Sequence, residues 1–208
     1  MSNKQELQYS HITPFLPYGL TAMVNTKVYI ISGIDKPFTL SKTIVKFLNT
    51  KNDELLRNIK PILRPLSDLT KEIEVNGEKF VPMVKLLYLY ETNYFHENEN
   101  LKYVTFDVNS IISCDHYIYK LLGSEDFVVK FPVSTSNYGL LIYSFTYDPA
   151  LRRFAYRNET HKTPFGMAFQ LDLFQKLFEW HFDVDNLIPQ GLAIDINTIN
   201  LQDGTRKD

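Results

Sequence analysis

The chain has 208 residues, 44% hydrophobic and 22% charged, a globular composition that excludes disorder as its main state. Its formal charge is −2, with 22 basic and 24 acidic residues spread over both halves, so phosphate attraction is not its dominant mode of binding. Cys114 is the only cysteine, which excludes an intramolecular disulfide and a cysteine-based zinc site, and no run approaches the roughly 20 apolar residues of a membrane span.

In chain order, residues 1–19 read as an extended leader punctuated by Pro14, Pro17 and Gly19. The opening stretch has no apolar targeting run, so a reducing, intracellular compartment is expected. Leu20–Val24 and Lys27–Ile31 predict a β-hairpin across Asn25 and Thr26. Thr39–Leu48 fits a strand or a short helix equally. In Ile59–Ile73, Pro61 and Pro65 forbid a continuous helix, so Ile62, Leu63 and Leu66 are expected to be buried from an extended or irregular stretch. Ser67 or Asp68 can cap a short helical turn, and Arg64 between the prolines calls for an acidic partner such as Asp68. Asn76-Gly77 predicts a type I′ hairpin between Ile73–Val75 and Lys79–Val81.

Val84–Tyr90 predicts the start of a helix, and 91–100 a polar loop carrying Tyr94, Phe95 and His96. Tyr103–Val108 alternates like a strand, and Ile111–Leu122 reads as a helix stopped by Gly123. Phe127–Val133, Gly139–Tyr147 and Leu151–Tyr156 follow as strands, the last two joined at Asp148-Pro149. Pro164–His181 predicts the clearest helix, with Met167, Leu171, Phe174, Leu177 and Phe178 at helical spacing. The expected fold is therefore α+β: antiparallel hairpins or sheet with a few helices, including 164–181. One domain over 1–208 is expected, with a subdivision near 91–100 into 1–90 and 101–208 as the alternative.

Catalytic grammar is missing from the sequence. It contains no phosphate-loop, dinucleotide-fold or nucleophile-elbow pattern, and 8 glycines leave little material for a loop that cradles phosphate. The 5 histidines show no metal-ligand spacing. Cys114 and His116 stand two apart on the predicted helix and so point in different directions. Glu179, His181, Asp183 and Asp185 share a face only if extended; the alternative is that Trp180, Phe182 and Val184 anchor the helix end. The reading is no catalytic residue, no metal and no cofactor.

Two surfaces remain as candidates. Aromatic residues are abundant, with 13 Tyr and 15 Phe, and Tyr94, Phe95 and His96 offer anchors for a protein partner. Tyr also fills half-buried strand positions, which is the plainer account of the composition. Arg152, Arg153, Arg157 and Lys162 interleave with Tyr147, Phe154 and Tyr156, a pattern suited to phosphates and stacked bases. The alternative there is a solvated basic hairpin.

Three segments carry a resemblance: Pro17-Tyr18-Gly19-Leu20, the run Lys60–Leu69 (KPILRPLSDL), and Leu177–Ile199 with its EWHFDV and GLAIDINT blocks. They resemble a group of uncharacterised proteins of phages and prophages of the Bacteroidota. The resemblance covers about a fifth of the chain and implies work in a bacterial host's cytoplasm, but carries no catalytic residue. Pro61, Arg64, Pro65, Leu66, Asp68, Trp180, Asp195 and Asn197 within these blocks are expected to be scaffold, with Asp195 and Asn197 satisfying backbone groups of a short tail. The expected function is a non-enzymatic accessory protein that binds a host protein, with inhibition of a defence system such as an RNA-guided CRISPR nuclease the leading case. Nucleic-acid binding and a minor virion role are the alternatives. Nothing in the sequence sets an oligomeric state.

Overall fold

The computed structural model describes residues 6–35, 43–50, 53–97, 118–120, 127–135, 139–165 and 170–199. The chain is α+β and divides into two compact units: 1–66 with 177–208, and 67–176. The boundaries fall at 66/67 and 176/177, and residues 91–97 lie inside a helix.

The first unit is built on a six-stranded sheet. β1 (Thr21–Val24) and β2 (Lys27–Asp35) form the predicted hairpin, with Val24 opposite Lys27 and Asn25 at φ 55° in the two-residue turn. β3 (Ile44–Phe47) resolves the ambiguous segment as a strand, and β4 (Asp53–Leu55) is the edge beside it. β5 (Ile59–Leu63) pairs antiparallel with β1, and β13 (Ile194–Asp195) joins β5 in parallel at Ile62 and Leu63. Pro61 lies one residue before that pairing begins, where its missing N–H interrupts no ladder on the β13 side.

Period-two alternation sorts the sheet's side chains. Ala22, Val24, Ile31, Val45, Phe47, Ile59 and Leu63 point into the core. The expected extended leader is instead helical: 3₁₀ turns run over Tyr9–His11 and Thr13–Tyr18, and Gly19 at φ 69° ends the second. The reason is tertiary: Ile12, Phe15 and Leu20 are all buried, and a coiled path delivers them to one side. Phe15 meets Phe178 edge-on at 5.1 Å between ring centroids.

The second unit opens with β6 (Ile73–Val75) and β7 (Glu78–Phe80), paired across Asn76-Gly77. Both turn residues have positive φ, 53° and 82°, as the predicted type I′ turn demands, and glycine takes such a φ without strain. α1 (Pro82–Glu97) follows, so the predicted helix runs one turn and more past Tyr90, and the expected loop at 91–97 is helix. Met83, Val84, Leu86, Leu87 and Tyr90 are buried. Lys85 lies 4.1 Å from the Phe80 ring centre and 2.6 Å from Glu78 Oε2, tying the hairpin to the helix.

A five-stranded antiparallel sheet completes this unit: β8 (Ile118–Lys120), β9 (Phe127–Thr135), β10 (Gly139–Asp148), β11 (Arg153–Asn158) and β12 (Thr163–Phe165), in the order β12-β11-β10-β9-β8. Two helix expectations are corrected here. Ile118–Lys120 pairs with β9 as strand, where helix was expected over 111–122. Thr163–Phe165 pairs with β11, so the helix expected over 164–181 becomes α2, Gln170–Glu179. Ladder bonds available to 163–165 outweigh a local helical preference. The Gln170 amide also donates to the Phe154 carbonyl at 2.7 Å and accepts its N–H at 2.9 Å. It satisfies the β11 backbone where β12, which pairs only with 156–158, does not reach.

The expected apolar stripe of α2 is displaced as well. Leu171 is 69% exposed, while Leu173 and Leu177 are buried. The expected strand at 103–108, the Cys114–His116 pair and Met167 lie outside the described residues. Among the described residues no helix is long and apolar enough to cross a membrane.

Candidate functional site

The C-terminal block, the most distinctive part of the sequence, closes on the exit of β5. Arg64 donates its N–H to the His181 carbonyl at 2.7 Å, and its own carbonyl accepts from Asp183 N–H at 2.9 Å, a single parallel bridge bond pair. Trp180, Phe182 and Val184 are buried, as an anchored helix end requires. Asp183 is also buried, at 3% exposure, and its two oxygens accept the N–H groups of Leu187 and Ile188, each at 2.7 Å. Burial pushes its carboxyl above the usual aspartate range, against the pull of those two donors.

His181 sits at φ 59°, half-buried, with Nε2 3.0 Å from the Tyr18 carbonyl. Desolvation lowers its pKa; the Tyr18 carbonyl opposes this and the Arg64 charge adds to it. The neutral ring is thus favoured on folding. Its contribution to stability is complete above the ordinary value of 6.5 and is lost as pH falls through the lowered one. His181→Asn, which keeps a residue tolerant of positive φ, is expected to flatten the decline of stability as pH falls from 6.5 through the lowered value. Urea unfolding at neutral and mildly acidic pH measures it; an unchanged slope counts against this assignment.

These geometries are architectural. Asp183 turns inward to backbone and His181 to Tyr18, and among the described residues no three His, Cys, Asp or Glu side chains converge on a metal-sized point. The other scaffold expectations divide. Asp68 is buried and pairs with Lys71 at 2.8 Å; the 3₁₀ turn Leu66–Asp68 contains it. Asp195 caps the final 3₁₀ turn by accepting the Asn197 N–H at 2.9 Å, as expected. Ile62 and Leu63 are buried, but Leu66 is only half-buried, because β5 ends at Leu63 and Leu66 begins a turn. Pro65 is half-buried between them.

Tyr94, Phe95 and His96 occupy the last turns of α1. Arg152, Arg153, Arg157 and Lys162 are all exposed. Arg152 and Lys162 take positive φ, 47° and 54°, in the turns at either end of β11, while Arg153 and Arg157 share one face of the strand. Phe154 and Tyr156 lie on the opposite, buried face, with Tyr147 fully buried opposite Phe154. The pleat therefore separates in space what the sequence interleaves: the rings form a core cluster with Tyr90, Phe145 and Phe174.

The sequence reading missed a surface on the first unit. Val28 and Ile30 point outward from β2, at 47% and 43% exposure. Leu48, 49% exposed, lies beside them, its N–H donating to the Ile30 carbonyl at 2.9 Å. The signal was the unbroken apolar run Val28–Ile31, which puts aliphatic groups on both faces of one strand. At the hairpin end of the same strands a hollow of about 370 Å³ opens, walled by Val24, Tyr29 and Phe47 and rimmed by Asn25, Thr26, Lys27 and Glu54. The Tyr29 and Phe47 rings lie 5.1 Å apart between centroids, tilted by 36°. Glu54 Oε2 accepts from Asn58 Nδ2 at 3.1 Å, which holds the carboxylate in place.

No protein-family model, no curated protein and no solved structure matches this chain.

Proposed function

We propose that this is a non-enzymatic accessory protein of phage or prophage origin that binds a host protein in the bacterial cytoplasm, inhibiting a defence system such as an RNA-guided nuclease. The observation that carries the binding role is the cluster of Val28, Ile30 and Leu48, three large aliphatic side chains exposed together on one sheet face. Isolated exposed aliphatics are ordinary, whereas contiguous ones mark contact surfaces. The phage origin and the defence target rest on the KPILRPLSDL and EWHFDV…GLAIDINT resemblance. Tyr94, Phe95 and His96 remain a second candidate contact, tested by their joint replacement with alanine.

Affinity capture of the tagged protein from host lysate, with and without nuclease, tests the reading. A stoichiometric host protein is expected to survive nuclease treatment. Val28→Glu with Ile30→Glu is expected to abolish its capture while changing unfolding stability by only about 0.5 kcal/mol per site, the usual range for surface changes. Capture undiminished by that double variant removes this face from the interface.

Nucleic-acid binding is favoured by one observation, the shared exposure of Arg152, Arg153, Arg157 and Lys162. Such binding would be steeply salt-dependent and would act through phosphates, since Tyr147, Phe154 and Tyr156 are buried. Capture that disappears with nuclease selects this reading over the first.

A further inference from the structure

We propose that the hollow at the β1–β2 hairpin end takes the guanidinium of an arginine side chain presented by the partner protein; this rests on the protein-binding reading above. At about 370 Å³ it lies at the small end of ligand-sized sites, ample for one long side chain. Val24, Tyr29 and Phe47 form its floor; Val24 and Phe47 belong to the core, and Tyr29, only half-buried, offers the accessible ring. A planar cation stacks on such a ring, which an ammonium does less well.

Glu54 supplies the polar anchor. It is half-buried at the rim, and its Oε2 is already engaged by Asn58 at 3.1 Å. The Oε1 atom carries no hydrogen bond or ion pair among the described residues. A ligand that covered this carboxylate without bonding to it would strip its water at a cost, so a neutral apolar ligand is disfavoured. An anion meets repulsion from Glu54. A guanidinium, with donors in a rigid fork, satisfies the carboxylate and covers the Tyr29 ring at once.

Lys27 is exposed on the hairpin and also lines the rim. Its charge opposes an arriving cation, so the two rim charges predict changes of opposite sign.

The test is titration of the full chain with N-acetyl-L-arginine methylamide, followed by ¹H–¹⁵N NMR, with the citrulline analogue as the neutral isostere. Saturable shifts are expected at Lys27, Tyr29, Phe47 and Glu54 with the arginine probe and not with citrulline. Glu54→Gln is expected to weaken binding about tenfold, the equivalent of one charge-assisted hydrogen bond. Lys27→Gln is expected to tighten it by about threefold, as befits removal of one exposed like charge. No shifts with wild-type protein, or equal shifts with citrulline, would overturn the site, and this comparison needs no variant to fold. The two readings fail separately. A silent probe removes the guanidinium site even if a host protein is captured, whereas a binding probe with no captured protein removes the partner and not the hollow's chemistry.

Discussion

Trp180→Ala is expected to destabilise the protein by about 3–5 kcal/mol, the cost of deleting a large buried aromatic side chain and leaving a cavity. Trp180 is 4% exposed at the point where α2 ends and the chain turns through His181 at φ 59°. Its neighbours in sequence, Leu177, Phe182 and Val184, are buried too. Against a total of roughly 5–15 kcal/mol for a domain, this is a large fraction. A drop in melting temperature of roughly 6–20 °C follows for a chain of this size. Leu63→Ala, at 1% exposure, belongs in the same class at about 2–5 kcal/mol. Leu66→Ala does not: Leu66 is half-buried in a turn, and its loss is expected to cost about 1 kcal/mol, the centre of the range for point variants. Equal melting temperatures for wild type and Trp180→Ala would show that the EWHFDV block is not the anchor of its unit.

Asp183→Ala is expected to cost about 2–6 kcal/mol, because it leaves the N–H groups of Leu187 and Ile188 without their acceptors, at about 1–3 kcal/mol for each buried donor. Asp183→Asn tests geometry against charge. Its amide offers one acceptor oxygen but turns a donor towards the second N–H, so it is expected to recover less than half of the loss. The acid also predicts a pH signature opposite to that of His181. Burial raises the carboxyl above its ordinary value of 3.8, so the folded state holds the proton more tightly than the unfolded one. Asp183 ionisation therefore costs stability as pH rises from that ordinary value through the raised one, and the alanine variant should lose this slope. Urea unfolding across mildly acidic pH measures both effects. A variant with wild-type stability would mean that the Asp183 loop is held by other contacts.

The legible parts of the fold are those decided by neighbouring residues. Asn76-Gly77 needs positive φ at two adjacent positions, which few dipeptides tolerate, and the turn is where it was expected. The hairpin across Asn25-Thr26 follows from two β-rich runs separated by two residues. Pro61 and Pro65 exclude a helix from their stretch by missing donors and ring sterics alone, and β5 is the result. The buried trio Trp180, Phe182 and Val184 was legible too, since charged residues alternate with it.

What failed was decided at a distance. Pro164–Phe165 has helical neighbours in sequence, yet Tyr156 and Arg157 across the sheet capture it as strand. Residues 9–18 carry prolines that fit an extended path, but the core position of Ile12 and Phe15 selects 3₁₀ turns. The basic and aromatic residues of β11 alternate in sequence, and only the packing of α1 and α2 residues against one face reveals that the rings are core while the cations face water. The candidate site was the least legible feature. Tyr29, Phe47 and Glu54 come from three different strands, and the hollow they wall exists only because β2-β3-β4 pair in that order.

The sequence by itself determined the fold class, the local turns and the segments that cannot be helix, because sterics at single residues and period-two patterning act within a few residues. Only the tertiary structure decided which face of each strand meets water, where Leu66 and Leu171 end up, and which side chains from distant strands share a hollow. Those outcomes depend on strand pairing and burial between residues tens of positions apart, which no local pattern encodes.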